Sequence, residues 1–215
     1  MPAVDLAAFR ATPLTRQPFD YLVLPRFVPP EACAAINAGY PQINQPGSFP
    51  VGSLTYGPAF REFVSILTGH EARRAFEEKF QVDLTNRPTM VTVRGRCGPK
   101  DGSIHTDAVT KLITVLIYMN PHWEQTGGRL RLLRSAKDLE DTLVEVPPEE
   151  GTLIAFRRSD NSYHGHKPFT GPRRVIQLNW VTDRWTVQRE ILRHRVSAWM
   201  KRVLGRRRKV APSPW

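Results

Sequence analysis

The rhythm of apolar positions along this chain changes near Pro88. Ahead of it the spacing is mostly helical. Pro29-Pro30-Glu31 makes a good helix start, because proline tolerates the first turn, and that helix runs to about Ala38. Two further helices are predicted over 59–68 and 70–80, the second laced with Glu71, Arg73, Arg74, Glu77, Glu78 and Lys79. Tyr21-Leu22-Val23-Leu24 reads as a short strand. Residues 1–18 read as an irregular lead-in, and 39–58, rich in Gly, Pro, Asn and Gln, as a long loop.

Beyond Pro88 the pattern is one of short β runs, over 89–94, 112–119, 129–133, 142–146, 152–156 and 173–181. Gly, Pro, Asn and Asp fill the breaks between them. A helical front followed by such strands predicts a compact β barrel or sandwich with helices packed on one side. Side chains alternate across a strand, so Arg173, Val175, Gln177 and Asn179 share one face and Arg174, Ile176, Leu178 and Trp180 the other. By the same alternation Thr114, Leu116 and Tyr118 oppose Ile113, Val115 and Ile117. Both strands thus predict a polar-lined interior and an apolar exterior for the helices to cover. The final segment, 187–204, carries apolar residues at 187, 191, 196, 199, 203 and 204, a spacing compatible with one helical stripe.

With 215 residues the chain fits one domain, large enough to bury roughly 70% of its unfolded surface without staples. The division read from the pattern is a lead-in over 1–18, a main domain over 19–183 and a basic helix and tail over 184–215. No run approaches the ~18–20 apolar residues of a membrane span, and the first residues carry no secretory pattern. Cys33 and Cys97, with no Cys-x-x-Cys spacing, argue against a disulfide framework and a thiolate zinc site. A reducing, cytoplasmic location is expected. The net charge of +11 is uneven: from Arg184 onward there are ten Lys and Arg against one acid, Glu190. The body is therefore nearly neutral, which argues against a nucleic-acid enzyme, whose positive charge spreads around its active site. The tail, ending in Arg206-Arg207-Arg208-Lys209, could hold the protein at the periphery of an anionic membrane.

Three features of the β region carry chemistry. His105-Thr106-Asp107 precedes the strand at 112–119, Tyr163-His164-Gly165-His166 follows the strand at 152–156, and Arg173 opens the last strand. Residues i and i+2 of an extended segment share a face, so His105 and Asp107 can converge. Two imidazoles and a carboxylate on one face of iron(II) leave three positions open, for a bidentate 2-oxo acid and then dioxygen. A guanidinium suits the far carboxylate of such an acid in a dry pocket. His166 competes with His164 for the distal ligand position. Arg96 and Arg129 are weaker pocket candidates, and His70, His122 and His194 read as structural or exposed. Asp138, Glu140 and Asp141 read as a solvated loop.

At these residues the sequence resembles the 2-oxoglutarate/iron(II) oxygenase superfamily, in particular its prolyl-hydroxylase-like branch. The match comprises His105-Thr106-Asp107, the stretch from Tyr163 to Arg174, and between them Thr114 to Asn120, Trp123 and Gly127-Gly128. The opening strand and helix at 19–36 are also similar. The resemblance implies a double-stranded β-helix (jelly-roll) core, mainly β within an α+β fold, with the N-terminal helices on one face. It implies His105, Asp107 and His164 as iron ligands, since the family's distal histidine stands nine residues before its arginine, here Arg173. It implies Arg173 and Tyr118 as the residues that bind the 2-oxoglutarate C5 carboxylate, and O2 as a further reactant, with ascorbate a candidate reductant. The implied reaction is hydroxylation of an unactivated C–H with release of succinate and CO2. Asp107 supports hydroxylation, because related halogenases have a small residue there. Residues 173–179 do not match the Arg-x-Asn-x-Thr-x-Arg-like run of the nucleic-acid demethylases. A small molecule, a sugar or lipid precursor and a protein side chain all stand as substrate classes. Two rivals are a zinc-type His2Asp metalloenzyme, which gives Arg173 no role, and a non-catalytic barrel whose basic tail binds membrane or nucleic acid.

Overall fold

A computed structural model describes residues 3–183, together with 185, 187 and 188. Its elements are helix α1 (Leu6–Ala11), strand β1 (Tyr21–Leu24), α2 (Pro30–Ala38), β2 (Phe49–Pro50), α3 (Pro58–Leu67) and α4 (His70–Phe80), then β3 (Thr89–Cys97), β4 (Lys111–Tyr118), β5 (Leu130–Leu133), β6 (Thr142–Val146), β7 (Leu153–Arg157), β8 (His164–Gly165) and β9 (Gly171–Val181). Six strands form one antiparallel sheet in the order β1-β7-β4-β9-β3-β2, and three form another in the order β6-β5-β8. The architecture is mainly antiparallel β with few helices, consistent with a jelly roll.

The larger sheet is amphipathic in the way the alternation predicts. From its outer face Ile113, Val115, Ile117, Ile176, Leu178 and Trp180 join Phe60, Phe63, Phe76 and Phe80 of α3 and α4 in the main core. Proline at the start of α2 and of α3 places a ring where no backbone hydrogen bond is lost. The inner face meets the small sheet in a second cluster, where Tyr118, Ile154, Phe156 and Val175 pack with Leu130, Leu132 and Val146. The remainder of that inner face lines a cavity.

Three expectations need correction. Residues 1–18 are not irregular throughout: Asp5 caps α1 by accepting from Ala8 N, and Phe9 is buried against Phe27 and Phe76. A helix with one buried residue leaves no periodic signal. The loop 39–58 contains β2, paired to the edge of β3, and a 3-10 turn over Val51–Ser53. The two-residue β8 went unpredicted, being too short for any alternation to show. The expected basic C-terminal helix, apart from Val187 and Gln188, lies outside the described residues with the cluster behind it. Among the described residues no helix is long and apolar enough to cross a membrane, and both cysteines are buried and free.

Candidate active site

The two histidines are joined through their backbones. His105 N donates to His164 O at 3.0 Å and His164 N to His105 O at 2.9 Å, an isolated antiparallel bridge between the loop before β4 and the strand β8. Strand β8 in turn pairs with β5, Leu132 opposite His164, so the distal histidine stands on the small sheet. His105 Nδ1 lies 2.8 Å from Ser103 O and His164 Nδ1 lies 3.0 Å from Ser162 O. A carbonyl only accepts, so each Nδ1 carries the proton and each Nε2 presents a lone pair, the arrangement that orients metal-binding imidazoles. Ligand atoms of His105, Asp107 and His164 all lie within 4.8 Å of one another.

Strand β4 holds Asp107. Thr114 Oγ1 donates to its Oδ2 at 2.5 Å, and Asn179 Nδ2 of β9 donates to that hydroxyl at 2.8 Å. Lys111 Nζ donates to Oδ1 at 2.5 Å. Burial favours the neutral acid, but the ammonium of Lys111 and the hydrogen bonds from Lys111 and Thr114 outweigh it and keep the carboxyl below its ordinary value. Burial pushes His164 down to about 4, so the ring is neutral and free to donate its lone pair. Two neutral imidazoles and one ionised carboxylate are the donor set that iron(II) takes, so the residues present fit that metal.

Arg173, 5% exposed, lies at the other end of the same cavity. Its Nε donates to Gly128 O at 2.8 Å, its Nη2 reaches Tyr118 OH at 3.5 Å, and its guanidinium stands 5.3 Å from the Tyr118 ring centre. Gly128 has φ +76°, a conformation side chains rarely adopt, and a Cβ there would meet Trp123 at 2.7 Å. Glycine thus lets the turn bring its carbonyl under the guanidinium. Among the described residues Arg173 has no carboxylate partner. A buried guanidinium with hydrogen bonds but no counter-charge suits an anionic ligand. The cavity, about 650 Å³, connects these two ends along Thr114, Leu116, Val175 and Gln177.

The geometry therefore gathers His105, Asp107, His164 and Arg173 around one cavity, with Tyr118 buried behind the guanidinium. His166 also lines that cavity but stands outside the three-ligand group, its Nδ1 2.9 Å from Lys167 O. Arg96 and Arg129 do not line it, and Arg129 pairs instead with Glu145. Arg174, on the opposite face, donates to Asn37 and stands over Tyr40. Sequence reasoning missed Lys111. Counting by twos from Thr114 puts it on the outer face with Ile113, but a register shift between Lys111 and Ile113 turns it into the cavity. No period-2 signal could have found it.

Residues 95–182 match the family model described as the 2OG-Fe(II) oxygenase superfamily. The chain is an enzyme of the 2-oxoglutarate-dependent dioxygenase class, and iron(II) and 2-oxoglutarate are the cofactor and co-substrate of that class. In fold it is similar to a Pseudomonas putida prolyl-4-hydroxylase, with TM-score 0.59, 15% identity and coverage of 84% of this chain and 93% of that one. A 2OG-Fe(II) oxygenase family oxidoreductase from Burkholderia pseudomallei is similar with TM-score 0.51, 15% identity and coverage of 82% and 89%. No curated protein matches the chain.

Proposed function

We propose that the protein hydroxylates an unactivated C–H of its substrate, with 2-oxoglutarate converted to succinate and CO2. The observation that carries this reading is one cavity with His105, Asp107 and His164 at one end and the unpaired, buried guanidinium of Arg173 at the other. His105, Asp107 and His164 would hold the iron, and Arg173 with the Tyr118 hydroxyl the C5 carboxylate. When bound, iron(II) would activate O2 as the oxidant, with two of the four electrons O2 accepts coming from decarboxylation of 2-oxoglutarate and two from the substrate C–H bond. The chain's own work is to orient and to exclude water. The Ser103 and Ser162 carbonyls fix the imidazoles, Thr114 and Asn179 fix the carboxylate, and Leu116, Leu130 and Val175 supply the apolar part of the wall toward Arg173. The carboxylate of Asp107 supports hydroxylation, since it fills the position a halide would need. A zinc hydrolase gives Arg173 no function.

The names of the neighbours bring proline-containing peptides into the substrate panel, beside small molecules and sugar or lipid precursors. The test is anaerobic loading with iron(II), then succinate release from 2-oxoglutarate, with and without each class. A chain that binds no iron(II), or that releases no succinate with any addition, would falsify the reading. For location, the charge beyond Arg184 supports a peripheral position on an anionic membrane facing the cytoplasm. Co-sedimentation with anionic but not neutral vesicles, lost in a chain ending at Leu204, is the expected result.

A further inference from the structure

Five charged side chains line the cavity among the described residues, and they do not balance: Arg94, Lys111 and Arg173 against Asp101 and Asp107. Arg94 pairs with Asp101 at 3.3 Å and Lys111 with Asp107 at 2.5 Å. In the protein alone the excess charge is that of Arg173. On the reading proposed above, on which this inference rests, iron(II) adds two positive charges and 2-oxoglutarate two negative ones. Loading leaves the total unchanged but moves the excess. Arg173 would gain a carboxylate, Asp107 would gain a metal, and Lys111 would share with that metal the one carboxylate it pairs with among the described residues. The histidines do not alter the sum. His105 and His164 ligate as neutral imidazoles, and burial keeps His166 neutral, pushed down to about 4.

Lys111 is poorly placed to lose its partner. Its side chain is 16% exposed, and a buried ammonium without an anion is strongly disfavoured. Orienting Asp107 does not require a cation, because Thr114 already holds its other oxygen. The position is also suggestive. Across the inner face Tyr118 and Arg94 stand opposite Val175, Leu116 and Thr92 opposite Gln177, and Thr114 and Met90 opposite Asn179, while Lys111 stands opposite Val181. Lys111 therefore occupies the end of the cavity remote from Arg173, where Asp107 is the charged lining residue it pairs with and Thr110 and Val181, also lining the cavity, carry no charge.

We propose that Lys111 receives an oxyanion of the substrate, so that this enzyme acts on a molecule with a carboxylate or phosphate group close to the C–H it oxidises. The protein then uses two cations at opposite ends of one cavity, Arg173 for the co-substrate and Lys111 for the substrate.

The test reads binding rather than turnover. The full chain is loaded with manganese(II), a paramagnetic stand-in for iron(II), and saturating 2-oxoglutarate; zinc(II) provides the diamagnetic control. The probes are inorganic phosphate, followed by phosphorus relaxation, and acetate and acetamide, followed by methyl-proton relaxation. Because relaxation depends on distance to the metal, only anions held close to it register. The expected result is metal-dependent relaxation of phosphate, acetate or both, none for acetamide, and 2-oxoglutarate retained. Whichever anion binds more tightly identifies the phosphate or the carboxylate arm. Lys111→Gln should weaken that anion about tenfold or more, the weight of one charged hydrogen bond, and Lys111→Arg should keep it. Anion relaxation unchanged in Lys111→Gln overturns the proposal, as does its absence from the loaded natural chain, or equal relaxation of acetamide. A chain that takes up neither metal nor 2-oxoglutarate overturns the oxygenase reading itself, and this inference with it.

Discussion

Strand β9 separates two surfaces that obey different physics. Toward the helices it presents Ile176, Leu178 and Trp180, all at most 1% exposed and surrounded by phenylalanines. Toward the small sheet it presents Arg173, Gln177 and Asn179, which line the cavity or hydrogen-bond to side chains that do. The outer face gains stability from area removed from water, a contribution that is not directional. The inner face buries groups that gain little net stability even when every hydrogen bond is made. Among the described residues no buried side-chain nitrogen or oxygen lacks a partner, so the fold tolerates that face. It does not need it. Residues that a core does not need, arranged around one cavity, are the mark of a site.

The largest expected effect comes from the inner face alone. His105→Ala, Asp107→Ala and His164→Ala should each abolish iron-dependent turnover of 2-oxoglutarate while the circular dichroism of the fold persists. Loss of turnover in His166→Ala with His164→Ala still active and iron-loaded would reassign the distal ligand.

Three substitutions then separate the faces. Arg173→Ala leaves a carboxylate of 2-oxoglutarate unpaired in a dry pocket, a loss of roughly 3–5 kcal/mol. The 2-oxoglutarate requirement should rise by about two to three orders of magnitude, since each 1.36 kcal/mol is tenfold. Arg174→Ala, which removes a contact to Asn37 and Tyr40 on the other face, should leave that requirement unchanged. Trp180→Ala should cost about 3–5 kcal/mol of stability through lost burial and a cavity among the phenylalanines. The protein that remains folded should bind 2-oxoglutarate normally. Denaturant midpoints together with 2-oxoglutarate titrations check all three, and a 2-oxoglutarate defect in Arg174→Ala equal to that of Arg173→Ala removes the distinction between faces.

What was legible in the sequence follows the same division. Alternation on β4 and β9 assigned Ile113, Val115, Ile117 and Trp180 to one side and Thr114, Gln177 and Arg173 to the other, because long paired strands keep a strict period of two. That His105, Asp107, His164 and Arg173 meet at one cavity was legible through the family resemblance that their order and intervals carry. Three things were not. Lys111 sits beyond a register shift that reverses its face. The bridge between His105 and His164 pairs the backbone of a loop with a two-residue strand, neither long enough to carry a strand pattern of its own. Helix α1 is held by Phe9 and the Asp5 cap, contacts that are mostly long-range.

The smallest predicted effect tests how sharply the inner face is divided by atom. Tyr118 is fully buried, and burial raises its pKa, so its hydroxyl stays a neutral donor. Its ring packs in the cluster between the sheets, under the Arg173 guanidinium, with its oxygen 3.5 Å from Arg173 Nη2. Tyr118→Phe keeps the ring and the cation above it and removes one hydroxyl. A neutral hydrogen bond contributes about 1 kcal/mol, so the 2-oxoglutarate requirement should rise only about fivefold, with no change in the thermal midpoint beyond a degree or so. In an Arg173→Ala background the same substitution should add little, because the carboxylate it helps to hold is already lost. An additive effect in the double variant would mean that the hydroxyl acts independently of Arg173. No effect in the single variant would reduce Tyr118 to packing, and its inner-face atom would then belong, physically, with the outer one.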